Sequence, residues 1–207
     1  MLEILDAEVF NLTHLNHKKK KSKKTQILLY DTKRRADDFV KMLKYRRNGK
    51  YEDLPHYFIT KLGKVYKLIE PEFITKTFGD NSIDKKQIKI AIENLGWLNK
   101  NTIMGTYNNW INDVYRGTPH IRAWRGYFYW DLYTKEQMTA LTDLCLALCV
   151  EQDIPYQCVP SSGYFENAKN FNGIVSKSNF SDIYTDINPA FNFNIFEEYV
   201  KQTEPKL

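Results

Sequence analysis

The chain has 207 residues, 43% of them apolar and 14% aromatic, which suits one folded domain with a buried core and excludes a disordered chain. It contains no run of about 18 apolar residues, so no helical membrane span is expected. The net charge of +5 is local, because residues 1–50 hold 14 Lys and Arg against 6 Asp and Glu, whereas the remainder holds 16 against 19.

The N-terminus, MLEILDAEVFNLTHLNH, lacks the basic-then-apolar order of a signal peptide. Its apolar residues (Leu2, Ile4, Leu5, Val9, Phe10, Leu12) suggest an arm that packs on a neighbouring chain. KKKKSKK follows, with Lys18, Lys19, Lys20, Lys21, Lys23 and Lys24. Such a run reads either as a solvated, self-repelling linker or as a contact for phosphates or an acidic surface.

TQILLY, 25–30, has the length and apolarity of a strand buried on both faces. In KRRADDFVKMLKYRR, 33–47, Ala36, Phe39, Val40 and Leu43 form a helical stripe, ended by Asn48-Gly49. HYFITKLGKVYKLIE, 56–70, predicts a hairpin about Leu62-Gly63, and IKIAIENLG, 88–96, a further strand. Residues 97–133 look irregular and carry Trp97, Trp110, Trp124 and Trp130, which suit a core or interface or could line a glycan groove.

Thr134 and Gln137 form a capping-box signature for a helix with the stripe Met138, Leu141, Leu144, Cys145 and Leu148, stopped at Ile154-Pro155. A strand near 172–177 and a short helix near 194–201 close the chain. Three cysteines make no disulfide framework; Cys145 and Cys149 read as buried free thiols, and Cys158 as an exposed thiol or a core residue. The expected architecture is α/β, a single mixed sheet flanked by helices over residues 25–207, preceded by an arm and lysine-rich linker over 1–24.

Five segments in this order resemble the type-2 N-acetylmuramoyl-L-alanine amidases and the related peptidoglycan recognition proteins. They are QILLYDT, LPHYFITKLGKVYKL, IKIAIENLG, WRGYFYWDLYTKEQMTALTDLCLALCVEQDIP and GIVSKSNFSDIYTDINPAF, spread over roughly residues 25–201. The resemblance implies the amidase fold and, in active members, a zinc held by two histidines and an aspartate or cysteine, with one position open for water. Those ligand positions fall on Tyr30, Lys177 and Asp186. The family's tyrosine near the attacking water falls on His56, and the residue that steadies the oxyanion falls near Tyr184.

Only Asp186 of the three is a competent ligand. A lysine ammonium offers no lone pair and repels a dication, and Tyr30 would have to lose a proton with a pKa of about 10. A one-residue shift of the first strand would bring Asp31 to the ligand position, and a shift of the last would bring Ser176 or Ser178. The expectation is therefore no cofactor and an ion pair between Lys177 and Asp186 in place of the metal, with the Tyr30 hydroxyl beside it.

Function resides in sites while folds outlive them. The resulting expectation is a catalytically inactive amidase-like domain that serves as a structural part of a phage particle, in a neck, ring or tail, with virion proteins as partners. The alternatives are an active zinc-dependent peptidoglycan amidase, or a module that binds peptidoglycan without cleaving it. A DNA-binding module is a further alternative, through the lysine run and the Lys33, Arg34, Arg35, Arg46 and Arg47 cluster.

Overall fold

The computed structural model describes residues 2–6, 10, 12 and 18–202. Its main sheet has six strands in the order β1 (Ile4–Asp6), β5 (Val65–Lys67), β4 (Tyr57–Ile59), β7 (Gln87–Ile92), β3 (Gln26–Asp31) and β13 (Gly173–Ser176). The four strands β4, β7, β3 and β13 run parallel, β5 is antiparallel to β4, and β1 lies parallel to β5. The mixed sheet is flanked by helices, as the sequence suggests.

The two-residue alternation of β3 explains why its whole run is apolar. Ile27 and Leu29 join Ile88, Ile90, Ile92 and Ile174 on one face; Leu28 and Tyr30 join Ala91 and Val175 on the other. Helices α3 (Lys135–Gln152) and α4 (Phe193–Gln202) cover the first face, with Leu141, Leu144, Cys145, Leu148 and Phe196 buried in it. Helix α1 (Ala36–Tyr45) covers the second through Phe39 and Leu43, and the short helix α2 (Asn81–Asp84) precedes β7.

Local signals place these elements. Thr134 and Gln137 form the capping box of α3, and the Thr134 hydroxyl also donates to the Lys61 carbonyl at 2.7 Å, which ties the helix start to the β4–β5 hairpin. Gly63 turns that hairpin at φ +72°, and a Cβ there would sit 2.7 Å from the Glu136 carbonyl oxygen, so only glycine fits. All three cysteines are buried free thiols, Cys158 included.

Three expectations are corrected. First, residues 97–133 are not irregular. They form a second, antiparallel sheet of β8 (Trp97–Asn101), β9 (Thr106–Asn108), β10 (Val114–Tyr115), β11 (His120–Trp124) and β12 (Tyr127–Trp130), ordered β10-β9-β8-β12-β11. These strands are held by aromatic pairs such as Trp97 stacked on Tyr127 at 4.4 Å, rather than by an alternating buried face.

Second, the described part of the arm packs on its own domain. β1 extends the main sheet, Phe10 meets the Tyr66 ring at 4.4 Å, and Leu12 is 2% exposed in the core beneath α1. The expected packing of Val9 and of residues 13–17 lies outside the described residues.

Third, the lysine run is not a linker. Lys18–Lys21 is a strand, β2, paired antiparallel with β6 (Phe73–Ile74). Lys19, Lys20, Lys21 and Lys23 are exposed, but Lys24 is buried, donating to the carbonyls of Phe73 (2.8 Å) and Lys85 (3.3 Å). Among the described residues no helix is long and apolar enough to cross a membrane.

Candidate functional site

Parallel α/β sheets present ligands at the carboxyl ends of their strands. Here β3 ends at Tyr30-Asp31, and β13 runs into a 3-10 turn that begins at Lys177. Between them and the start of α1 lies a cleft of about 180 Å³ whose walls include Tyr30, Asp31, Lys33, Asp53, Lys177 and Asp186. The sheet thus brings three of the five expected site residues together: Tyr30, Lys177 and Asp186.

The cation at Asp186 is not the expected one. Lys33 Nζ stands 2.9 Å from Asp186 Oδ1, at ion-pair distance although outside hydrogen-bond geometry, and the Asp186 side chain is 4% exposed. Lys33 occupies the turn after β3 in a left-handed conformation, φ 54°. The second sheet anchors that turn: Trp110 Nε1 donates to the Lys33 carbonyl at 3.0 Å, and Asn109 Nδ2 lies 3.5 Å from the same oxygen. Nothing periodic marks Lys33 in the sequence, where it reads as part of the charged start of α1.

Lys177 turns instead to Asp53, with Nζ 3.9 Å from Oδ2, and lies between two rings, 5.4 Å from the Tyr30 centroid and 5.3 Å from that of Tyr184. The expected Lys177–Asp186 pair is therefore replaced by Lys33–Asp186 and Lys177–Asp53. The ring of Tyr30, not its hydroxyl, faces the ammonium. The hydroxyl is buried without a hydrogen-bond partner, and burial pushes its pKa well above the ordinary phenol value.

Behind the cleft, Asp31 accepts from the Tyr133 hydroxyl at 2.6 Å, and Asn188 Nδ2 lies 3.4 Å from its other oxygen. Burial, and then the negative charge of Asp186, push the Asp31 carboxyl well above the usual carboxylate range.

His56 belongs to the core rather than the cleft. It is fully buried; Nδ1 accepts from the Lys89 amide at 2.9 Å, and Nε2 donates to the Phe73 carbonyl at 3.0 Å. Near it runs a buried ionic network that sequence reasoning missed: Lys89 Nζ is 2.9 Å from Asp84 Oδ1, both side chains are at most 1% exposed, and Asp84 also accepts the amides of Thr77, Phe78 and Gly79. Tyr184 sits at the rim, its ring against Lys177 and Phe78. Its loop is pinned by Arg125, which donates to the carbonyls of Ser178, Ser181 and Tyr184.

These residues do not fit a zinc site. Tyr30 is further from the phenolate form than a free tyrosine, and Lys177 puts a positive charge where the resemblance would place a ligand. Asp186 already has an ammonium at 2.9 Å. Among the described residues no group of three or more His, Cys, Asp or Glu could hold a metal ion.

A mixed sheet between helices, with a cleft at the carboxyl ends of its parallel strands, is the architecture of the amidase-like α/β domains. Residues 21–175 match the family model described as N-acetylmuramoyl-L-alanine amidase, and the chain belongs to that family. The match stops short of Lys177 and Asp186.

Among solved structures the fold is similar to the endolysine N-acetylmuramoyl-L-alanine amidase LysCS from Clostridium intestinale, at TM-score 0.56, 12% identity and 97% coverage of both chains. It is also similar to Drosophila peptidoglycan recognition protein SA, at TM-score 0.56 and 11% identity, covering 96% of this chain and 92% of that one. Manduca sexta peptidoglycan recognition protein-1 gives TM-score 0.54 and 12% identity, covering 93% and 87%. A sequence search of curated proteins finds no match.

Proposed function

We propose that this protein is a non-hydrolytic member of the amidase family and serves as a structural component of a phage particle. The observation that carries the loss of hydrolysis is the pair of lysines in the cleft. Lys33 and Lys177 supply two ammonium groups where a zinc amidase needs lone pairs and an open metal position. The neighbouring groups fit that reading: His56 is committed to the core, and the Tyr30 hydroxyl is buried.

The particle setting rests on the likeness to the endolysine and on surfaces available for contact. With the described arm residues folded onto their own domain, assembly contacts would fall elsewhere. The β8–β9 turn, where Ile103 is 96% and Met104 72% exposed, is one such surface. Lys19, Lys20, Lys21 and Lys23 on β2 and just after it form another, suited to acidic virion proteins or nucleic-acid phosphates.

Two measurements test the reading. Peptide mass spectrometry of purified particles should find the chain at a fixed stoichiometry to other virion proteins. Incubation of the purified chain with muropeptides should release no L-alanine-linked peptide. A chain absent from particles and active on muropeptides would instead be a working amidase.

A further inference from the structure

A second cleft lies apart from the degenerate amidase site. It has a volume of about 560 Å³ and opens between β11, the loop 160–163 and the segment 189–194 that includes the start of α4. Phe191 and Phe193 of its wall belong to the core on the α3 face, whereas Tyr30 at the amidase cleft belongs to the core on the α1 face. The two clefts share no lining residue.

Three side chains from one strand, His120, Arg122 and Trp124, line this cleft. The strand carries a bulge between Ile121 and Trp124, a device that re-aims side chains. The walls are fixed from behind. The buried Trp130 indole donates to the Arg122 carbonyl at 2.8 Å. The buried Asn179 amide donates to the carbonyls of Ser161 (2.8 Å) and Gly163 (2.7 Å).

The charge in the cleft is one-sided. Its lining contains no Asp or Glu, and no described residue pairs with the Arg122 guanidinium by ion pair or hydrogen bond. His120 Nε2 is buried without a hydrogen-bond partner. The Ser161 and Ser162 hydroxyls and the Asn192 and Asn194 amides offer neutral polar contacts, with Trp124 as an aromatic wall.

A preformed cleft of this volume, with convergent polar groups on aromatic walls, is built for a small molecule. We propose that it binds a small polar organic anion, a polyhydroxylated body with a carboxylate or phosphate head. The head pairs with Arg122, and the body lies along Trp124 and the serine loop. Arginine is suited to either head through its planar donor fork.

The test is amide chemical-shift mapping on the full chain with three probes of similar body: glucuronate, glucose 6-phosphate and glucose. Binding of one or both anionic probes, with shifts at 120–124, 160–163 and 190–194 and at least tenfold weaker binding of glucose, is the expected result. The tighter anionic probe identifies the head. Arg122→Gln should weaken the anion by tenfold or more, whereas Arg116→Gln, just after β10 and outside the lining, should leave it unchanged. Equal binding of all three probes, no binding of any, or insensitivity to Arg122→Gln would overturn the proposal.

Discussion

The residue that organises the cleft is Lys33, which enters the site from a turn rather than from a strand. Its partner Asp186 is almost fully buried, so removal of the cation leaves a carboxylate without compensation. Lys33→Met should destabilise the protein by about 1–3 kcal/mol in urea unfolding, because Lys33 keeps some contact with water. Lys177→Met should cost less, below about 1 kcal/mol, since its contact with the half-exposed Asp53 is long. The reverse order would mean that Lys177 is the cation at Asp186 in solution. Lys24 offers a different measurement. Its pKa is lowered from 10.5 to about 7, first by burial and then by the charge of Lys89. Between those values the unfolded chain holds the proton and the folded chain does not, so the contribution of Lys24 makes stability rise with pH. Lys24→Met should therefore remove part of the stability gained between pH 7 and pH 9, as read from urea midpoints at constant m-value.

Elements assigned from sequence succeeded where local chemistry agreed with tertiary packing. The capping box at Thr134, the Gly63 turn and the apolar run of β3 each act within a few residues, so the sequence shows them directly. The second sheet was invisible for the opposite reason: its strands are mostly half-exposed, and aromatic pairing between distant positions such as Tyr107 and Tyr129 (4.9 Å) holds them. The arm was misread because a short apolar segment looks the same in sequence whether it packs on a neighbouring chain or on its own domain, and here an open sheet edge beside β5 accepts it. This changes what a mutation there should do. Leu12→Ala should lower the stability of the isolated protein by about 2–4 kcal/mol, as expected for a buried leucine. An unchanged unfolding midpoint would indicate that the arm does not pack on its own domain in solution.

At the scale of the whole molecule, the three-layer fold is the family's, while the chemistry at its cleft is this chain's own. The mixed sheet between helices and the family were legible because they rest on apolar runs and segments of five or more residues, whereas the order of the strands was not. Of the site, Tyr30, Lys177 and Asp186 were located through the resemblance to the amidases, and the cleft contains all three. The pairing among them was not legible, because it depends on the Trp110 indole holding the Lys33 carbonyl from 77 residues away. His56 was misplaced because one histidine beside a strand looks the same in sequence whether it faces a cleft or a core. The claim that two ammonium groups have displaced the zinc chemistry is tested most directly by metal content. The purified chain is equilibrated with zinc at neutral pH, passed over a desalting column and analysed by atomic emission. Zinc should stay far below one ion per chain, the same for wild type and Asp186→Ala. One zinc per chain that is lost on Asp186→Ala would contradict it.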